Sequence, residues 1–507
     1  RRDAEILMGV DCLSASARER QDTGKFGERR IMIFDSESVF EENVITVLKQ
    51  HGWKDGVLRY PTERDLLDNW KDILYRNNND IDRLGKYPLT DGEMAQIIEQ
   101  IETLRTPLAL NSFVNGRTVS ITRDNKEDVA HFGKEVSLYI YDRKEIAGGK
   151  STYQIAQQPV YPAKNKMLNS RRGDLVLLIN GMPLIHIELK RSGIPVSQAT
   201  NQIEKYAHEG VFTGLFRLVQ IFVAMTPDDA VYFANPGADK FNPSYYFHWA
   251  DYNNEPICGG QHPGKDEWKL FIGGTSGTAG LLSIPMAHQL IGFYTIADSA
   301  DGCLKVLRSY QYIAANAISD VVRKCDWEQR PSMPGRPGGY VWHTTGSGKT
   351  MTSFKSAQLI ADSHDADKVV FLMDRIELGT QSLKEYRSFA DSETEVQGTE
   401  NTGVLRDKLN STDVNDTLIV TSIQKMSNVK AGERGVTQTW LDQLAARRIV
   451  FIVDECHRST FGDMLQVIRR SFPNALFFGF TGTPILGENQ KKNSTTAMVF
   501  GRCLQDR

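Results

Sequence analysis

Long apolar runs are missing from this chain. Nowhere do about 18 apolar residues follow one another, so no membrane-spanning helix and no membrane partner are expected. Cysteine is scarce. The six present (Cys12, Cys258, Cys303, Cys325, Cys456 and Cys503) are scattered with no CxxC spacing. That argues against a disulfide framework and a zinc site, and it fits a reducing cytoplasm. Charge of one sign is also lacking: the net charge is −3. The chain does not advertise a nucleic-acid binder, and it does not exclude one, because acidic surface elsewhere can offset a basic groove. Internal repeats and low-complexity tracts are absent, which excludes a solenoid. The opening Arg1-Arg2-Asp3-Ala4-Glu5 has neither an initiator Met nor a signal-peptide core, so the chain is expected to start inside a longer one.

What is present points to an α/β protein of several parts. At 507 residues the chain is too long for one core and suggests roughly two to four domains. Residues 1–35 are mixed in charge without a core pattern. From Ser36 a helical period carries Val39, Phe40, Ile45, Val47 and Leu48, with Glu37, Glu41 and Glu42 between them. Residues 63–107 read as mostly helical. Strand signals follow at 136–141 and 174–179, then the hairpin turn Asn180-Gly181 and a return strand at 184–189. A second hairpin is expected around Pro227-Asp228-Asp229. A loop-rich section containing Gly259-Gly260 and Gly273-Gly274 reads as a linker. Beyond it, apolar runs at 369–373, 418–421, 449–453 and 476–480 alternate with helical patterns, which implies a parallel sheet with crossover helices. The expected layout is an N-terminal extension (1–35), a mixed-sheet domain flanked by helices (36–260), a linker (261–300) and a parallel-sheet domain (301–507). The aromatic run Tyr245-Tyr246-Phe247-His248-Trp249 reads as a core strand, more than as a base-stacking platform.

Two constellations carry chemistry. The first is His343-Thr344-Thr345-Gly346-Ser347-Gly348-Lys349-Thr350, a glycine-bearing loop between an expected strand and helix. Such a loop turns backbone N–H groups toward a polyphosphate; Lys349 would reach the β/γ-phosphates and the Thr350 hydroxyl would hold Mg²⁺. Asp454 and Glu455 end a later apolar strand, where an Asp can hold Mg²⁺ and a Glu can position the attacking water. The second constellation lies on the upstream hairpin. Its turn sits midway between Asp174 and Glu188, so the two acids should come together. Glu188 and Lys190 are two apart and share a strand face. Two carboxylates and an ammonium at one strand edge suit Mg²⁺-dependent phosphodiester cleavage. Gln202 and Tyr206 share a helix face beside them, and Glu41 is the candidate for a further acid, with Glu42 and Glu37 as competitors.

The ordered set in the second half resembles the first RecA-like domain of a superfamily 2 helicase or translocase. On that resemblance Arg308 and Gln311 belong to an adenine-reading segment. Thr345, Gly346, Ser347, Gly348, Lys349 and Thr350 form the ATP-binding loop, and Asp454 and Glu455 the metal and water site. Asp374, Arg375, Thr421, Gln424 and Lys425 fall on segments that touch DNA backbone in that family. The upstream hairpin resembles the PD-(D/E)XK nuclease core, with Gly173 where the name has Pro; there Asp174, Glu188 and Leu189 would hold the metal. Nuclease followed by motor, with Ile187-Glu188-Leu189-Lys190-Arg191 and Asp454-Glu455-Cys456-His457-Arg458-Ser459, resembles the R (restriction) subunit of type I restriction-modification enzymes. That family implies ATP and Mg²⁺ as cofactors and double-stranded DNA as substrate. It also implies a methyltransferase subunit and a specificity subunit as partners. A second RecA-like domain is expected beyond Arg507, and these 507 residues alone are expected to hydrolyse ATP weakly. Two rivals stay open: another nuclease–helicase fusion, such as a single-chain restriction enzyme or a repair helicase, and a nucleotide-gated DNA-binding scaffold with an inactive nuclease.

Overall fold

The computed structural model describes residues 34, 36–146, 148–162, 171–238, 240–259, 266–328, 338–344, 346–373, 397–399, 401–433, 436–454, 456, 461–485 and 495–506. Two sheets organise it. The first has six strands in the order β1-β4-β5-β6-β7-β8: β1 Val57–Arg59, β4 Tyr153–Gln157, β5 Leu175–Ile179, β6 Met182–Leu189, β7 Ile221–Met225 and β8 Ala230–Ala234. It is mixed: β4, β5 and β6 run antiparallel in turn, while β1 pairs β4, and β7 pairs β6, in parallel. Strands β2 (Thr118–Thr122) and β3 (Glu135–Tyr139) form a separate antiparallel pair.

The apolar run on β5 and β6 becomes the centre of this sheet, buried along its whole length. The Asn180-Gly181 turn forms as its sequence dictates. Asn180 (φ 51°) and Gly181 (φ 84°) both adopt the left-handed conformation that closes a tight hairpin with matching twist. A Cβ on Gly181 would sit 2.8 Å from the Trp70 backbone, so glycine also permits close approach of the neighbouring helix.

Helices cover both faces of the sheet. They are α1 (Glu37–Gln50), α2 (Glu63–Asn77), α3 (Asp91–Thr103), α4 (Pro107–Asn115), α5 (Val196–His208), α6 (Glu267–Gly273) and α7 (Ile284–Gly292). Thr62 and Thr90 close capping boxes on α2 and α3, satisfying the first-turn N–H groups. On α5, Ala199 and Ile203 pack against Phe222 and Ala224 of β7.

The expected linker is not one. Trp268, Phe271 and Ile272 on α6, and Ile284, Met286, Leu290 and Ile291 on α7, lie in the same core as β4, β5 and β6. The Trp53 indole donates to the Leu282 carbonyl (2.7 Å), and the Tyr141 hydroxyl to that of His288 (2.8 Å). The glycine pairs that suggested a connector only punctuate a stretch whose large apolar residues demand burial. Strands β9 (Thr295–Asp298) and β10 (Cys303–Val306) then pair across the expected boundary at 300. Phe34, expected in the extension, is likewise buried, 4.9 Å from the Phe40 ring.

The second sheet has seven strands, all parallel, in the order β13-β14-β12-β15-β16-β11-β17. They are β11 Gly339–Trp342, β12 Lys368–Met373, β13 Gln397–Gly398, β14 Leu418–Ser422, β15 Ile449–Val453, β16 Leu476–Thr481 and β17 Cys503–Asp506. The expected alternation of apolar strands and helices is thus realised. Helices α8 (Ser309–Arg323) and α9 (Lys349–Ser363) pack together on one face. Among the described residues, no helix is long and apolar enough to cross a membrane.

Candidate functional site

In the six-stranded sheet, register builds the site. Leu175 faces Ile187 across β5 and β6, so Asp174, just before β5, stands opposite Glu188. The Leu189 N–H donates to Asp174 Oδ2 (2.7 Å), fixing the carboxyl at the strand edge. Lys190 Nζ lies 3.2 Å from Glu188 Oε1, donates to the Leu189 carbonyl at 2.8 Å, and is 3.8 Å from Glu37 of α1. The expected trio is therefore together and buried, with Glu188 at 0% exposure. Burial, reinforced by the neighbouring Glu188 charge, pushes the Asp174 carboxyl well up. Burial also pushes Glu188 up to about 7, against the opposing pull of Lys190.

The flanking residues divide. Gln202 donates to the Tyr206 hydroxyl (2.7 Å), which donates in turn to the Arg172 carbonyl (2.9 Å), so that pair braces the chain just ahead of Asp174. Glu41 is buried and accepts from Gln157 (2.6 Å) and Gln158 (3.2 Å); burial raises its carboxyl. Of the α1 acids, Glu37 is the one 3.8 Å from Lys190, while Glu42 pairs with Arg59 at 2.6 Å. Sequence reasoning missed Gln157, Gln158, Tyr161 and His186. The last had a usable signal, since it stands two residues before Glu188 and so on the same strand face.

The donor set bears on a divalent cation. Glu188 Oε2 is buried without a hydrogen-bond partner, an orphaned oxygen beside a second carboxyl, which is a fit for a cation. The expected Leu189 ligand would be its backbone carbonyl, which Lys190 now occupies. Among the described residues no group of three His, Cys, Asp or Glu side chains is placed to hold a metal, so the carboxylates alone would supply two protein ligands.

In the seven-stranded sheet the site lies at the carboxyl edge of the strands, where open parallel sheets bind ligands. The loop from His343 leaves β11, and Gly346 (φ 82°) and Gly348 (φ 79°) take left-handed turns before α9 begins at Lys349. Among the described residues no side chain caps α9, leaving its positive end for an anion. Thr350 follows in the first turn of α9, and Asp454 sits just past the end of β15. Thr345, Asp374, Arg375 and Glu455 lie outside the described residues. The His343 ring is fully buried, edge-on to the Tyr310 ring at 5.1 Å, and the backbone N–H of His343 donates to the Thr481 carbonyl (3.0 Å).

Gln311, expected to contact the base, is engaged by backbone groups. Its amide donates to the Ser347 (3.3 Å) and Gly348 (3.2 Å) carbonyls and accepts from the Arg308 N–H (3.0 Å). It ties the start of α8 to the glycine-bearing loop, and an adenine contact would compete with those bonds. The Tyr310 hydroxyl adds a bond to Ser347 (2.7 Å). Of the residues expected to contact DNA, Thr421 and Lys425 make bonds within the fold. Thr421 is buried with its hydroxyl 2.8 Å from that of Thr399, and Lys425 Nζ donates to the Thr399 carbonyl (2.6 Å). Both side chains are engaged inside the fold, because they sit where β14 turns into its helix and faces β13. Gln424 is half-buried beside them.

A cavity of about 270 Å³ opens next to the glycine-bearing loop. Arg308, Gln311, Gly346, Ser347 and Gly348 line it together with Tyr245, Tyr246 and Phe247. The Arg308 guanidinium stacks 4.4 Å from the Phe247 ring centroid. The aromatic run expected in the core is therefore split: Trp249 is fully buried, while its three aromatic predecessors face this cavity.

Two family models match. The model for the type I restriction enzyme R protein N terminus covers residues 35–241, and that for the SWI2/SNF2 ATPase covers residues 310–506. The type I restriction enzyme SsaAORF53P endonuclease subunit of Staphylococcus saprophyticus is 35% identical over 480 residues, covering 93% of this chain and 45% of that protein. The chain thus spans about half the length of such relatives. A Mycoplasma pneumoniae protein, provisionally named as the C-terminal part of the type I restriction enzyme MpnIIP endonuclease subunit, is 38% identical over 169 residues, 80% of its length. Among solved structures, a nuclease-deletion mutant of the Type ISP restriction-modification enzyme LlaGI with a DNA substrate mimic overlaps at TM-score 0.28 and 18% identity. The overlap takes in 40% of this chain and 20% of that one, too slight to carry any argument.

Proposed function

The chain belongs to the family of type I restriction enzyme endonuclease subunits, and from that premise we propose that it joins an ATP-driven DNA motor to a Mg²⁺-dependent DNA-cleaving centre. The observation that carries the reading is the buried trio Asp174, Glu188 and Lys190 with its orphaned Glu188 Oε2. Isolated buried carboxyls are costly, and a fold keeps them where a ligand repays the desolvation. A cation held by Asp174 and Glu188 would supply Lewis-acid activation of water and neutralise charge at the scissile phosphate. Lys190 supplies a positive charge beside the carboxylates, where it steadies Glu188 and the approaching phosphodiester. Gln202 and Tyr206 hold the strand entrance that sets Asp174.

In the motor part, the phosphate loop and the uncapped end of α9 would take the ATP phosphates, with Lys349 at the β/γ-phosphates and Thr350 and Asp454 as the Mg²⁺ donors. The base would enter the cavity between Phe247 and Gln311. We place the junction of the two parts between β10 and α8, near residue 307, since everything described up to β10 packs with the six-stranded sheet. Translocation on double-stranded DNA, cleavage away from the recognition site, and assembly with methyltransferase and specificity subunits in the cytoplasm follow from the family reading and are proposed with it.

The test is Asp174→Ala and Lys190→Ala in the full protein assembled with those subunits. Double-strand cleavage with ATP and Mg²⁺ should fall below detection while ATP binding persists. Cleavage at the parental rate in either variant would overturn the assignment.

A further inference from the structure

Behind Glu188, two buried side chains form a line that no step above uses. The Tyr161 hydroxyl lies 2.8 Å from His186 Nδ1, and His186 Nε2 lies 3.4 Å from Glu188 Oε2. Tyr161 is 1% exposed and His186 0%. The imidazole is walled by the rings of Phe212 (5.5 Å between centroids) and Phe222 (6.0 Å), so its plane is set by packing. Nε2 and Oε2 are the two buried atoms of this line that complete no hydrogen bond, each out of water and each facing the other. Polar atoms left in that condition cost about 1–3 kcal/mol apiece unless they serve each other.

The tautomer follows from the partners. If Nδ1 carried the proton and donated to Tyr161, the phenol proton would have no acceptor and the Nε2 lone pair would confront the carboxylate. With the proton on Nε2, the phenol donates to Nδ1 and the imidazole N–H points at Glu188 Oε2. A second pair in the same half has this arrangement. The Tyr153 hydroxyl lies 2.9 Å from His288 Nδ1, and His288 Nε2 lies 2.9 Å from the Asp142 carbonyl, which can only accept. His288 ends on a backbone carbonyl at hydrogen-bond distance, whereas His186 ends on a carboxylate of the candidate active site at 3.4 Å.

We propose that His186, oriented by Tyr161, is a positioning residue that fixes the Glu188 carboxylate for a divalent cation. Lys190 holds one oxygen and His186 the other. A carboxylate oxygen has two lone pairs, so the imidazole N–H takes one and leaves the second facing the space shared with Asp174. The inference rests on the nuclease reading of Asp174 and Glu188.

The experiment titrates Mn²⁺ alone into the full chain without nucleotide, read by calorimetry, with ATP binding and the thermal unfolding midpoint as controls. His186→Leu should weaken Mn²⁺ binding by roughly 10- to 100-fold, the range for removing a bond to a metal-holding group. His186→Gln, whose amide N–H can still reach the carboxylate, should recover most of the affinity. Equal affinity in parent and His186→Leu, or equal losses for Leu and Gln, overturns the proposal, because a merely structural role would not distinguish them. Should His186→Leu fail to fold, Tyr161→Phe decides: it keeps the ring and removes the phenol proton, and unchanged Mn²⁺ affinity overturns the proposal. Glu188→Gln separates the two layers. If it too leaves Mn²⁺ binding intact, the nuclease reading itself has failed.

Discussion

The two sheets hold their polar chemistry in opposite ways. In the six-stranded sheet the working groups are side chains sunk along a central hairpin, and Asp174, Glu188 and His186 all lie in or beside strands buried on both faces. In the seven-stranded sheet the working groups are largely backbone, presented at the sheet edge by Gly346, Gly348 and the start of α9. The first arrangement stores strain as desolvated charge and the second as unusual backbone angles. A carboxylate in a dry strand has its pKa displaced and destabilises the fold until a cation arrives. A glycine turn keeps its shape with or without ligand.

The largest expected effect tests the stored charge. Glu188 is pushed from the ordinary 4.5 up to about 7. The folded chain therefore keeps a proton that the unfolded chain releases, and stability falls as pH rises from 4.5 through 7. Asp174 is raised in the same direction. His186, lowered from 6.5 to about 4, works oppositely and loses stability as pH falls below 6.5, so the two slopes offset each other in the parent. Glu188→Gln removes the first slope. In EDTA the variant should be more stable than the parent at pH 8, by up to about 3 kcal/mol, with the difference vanishing near pH 4.5. Urea unfolding at both pH values checks this, and no gain at pH 8 would mean the carboxyl is not held at a cost.

Next in size is Lys349→Ala. Losing a charged donor to the phosphates should weaken ATP binding by roughly 10- to 100-fold. Nucleotide-free Mn²⁺ binding at Asp174 and Glu188 should not change. A parallel fall in both would break the comparison by showing one coupled site in place of two.

Much of this contrast was legible in the sequence, for physical reasons. The Asn180-Gly181 turn dictates a tight hairpin, and strand periodicity then places Asp174 against Glu188 and Lys190. Parallel β/α alternation puts the phosphate loop and Asp454 on one edge. What stayed hidden depends on contacts between distant segments. His186 is masked by the apolar residues around it. Gln157 and Gln158 find Glu41 only once β4 lies beside α1. The burial of Thr421 depends on β13 closing over β14. Residues 266–298 have loop-like glycines and core-like aromatics, and only packing shows that the aromatics prevail.

A smaller effect probes the backbone. At Gly348 a Cβ would be held at φ 79° and would stand 2.6 Å from the Gln311 amide nitrogen. Gly348→Ala should cost about 1–2 kcal/mol at the loop, lowering ATP affinity roughly tenfold, with no change in the Glu188 pH dependence. Isothermal titration with ATP checks the first part, and unaltered affinity would show that the left-handed turn is not what holds the loop open.

The smallest expected change concerns Gln311, where the backbone site meets the rest of the molecule. Its amide links the start of α8 to Ser347 and Gly348 through bonds of 3.3 and 3.2 Å and takes the Arg308 N–H at 3.0 Å. None of these groups is charged, so each bond is worth about 0.5–1.5 kcal/mol net. Gln311→Met keeps the volume and removes the bonds, and the Tyr310 bond to Ser347 remains to hold the loop. Affinity for ATP should therefore drop only about three- to tenfold. If the amide serves mainly as a tether, affinity for GTP drops by the same factor, because the loop binds phosphates common to both nucleotides. If it leaves its tether to read the base, the loss falls on ATP alone. The ratio of the two affinities, measured in parent and variant, thus decides whether the motor site is organised by its backbone throughout or yields one side chain to recognition.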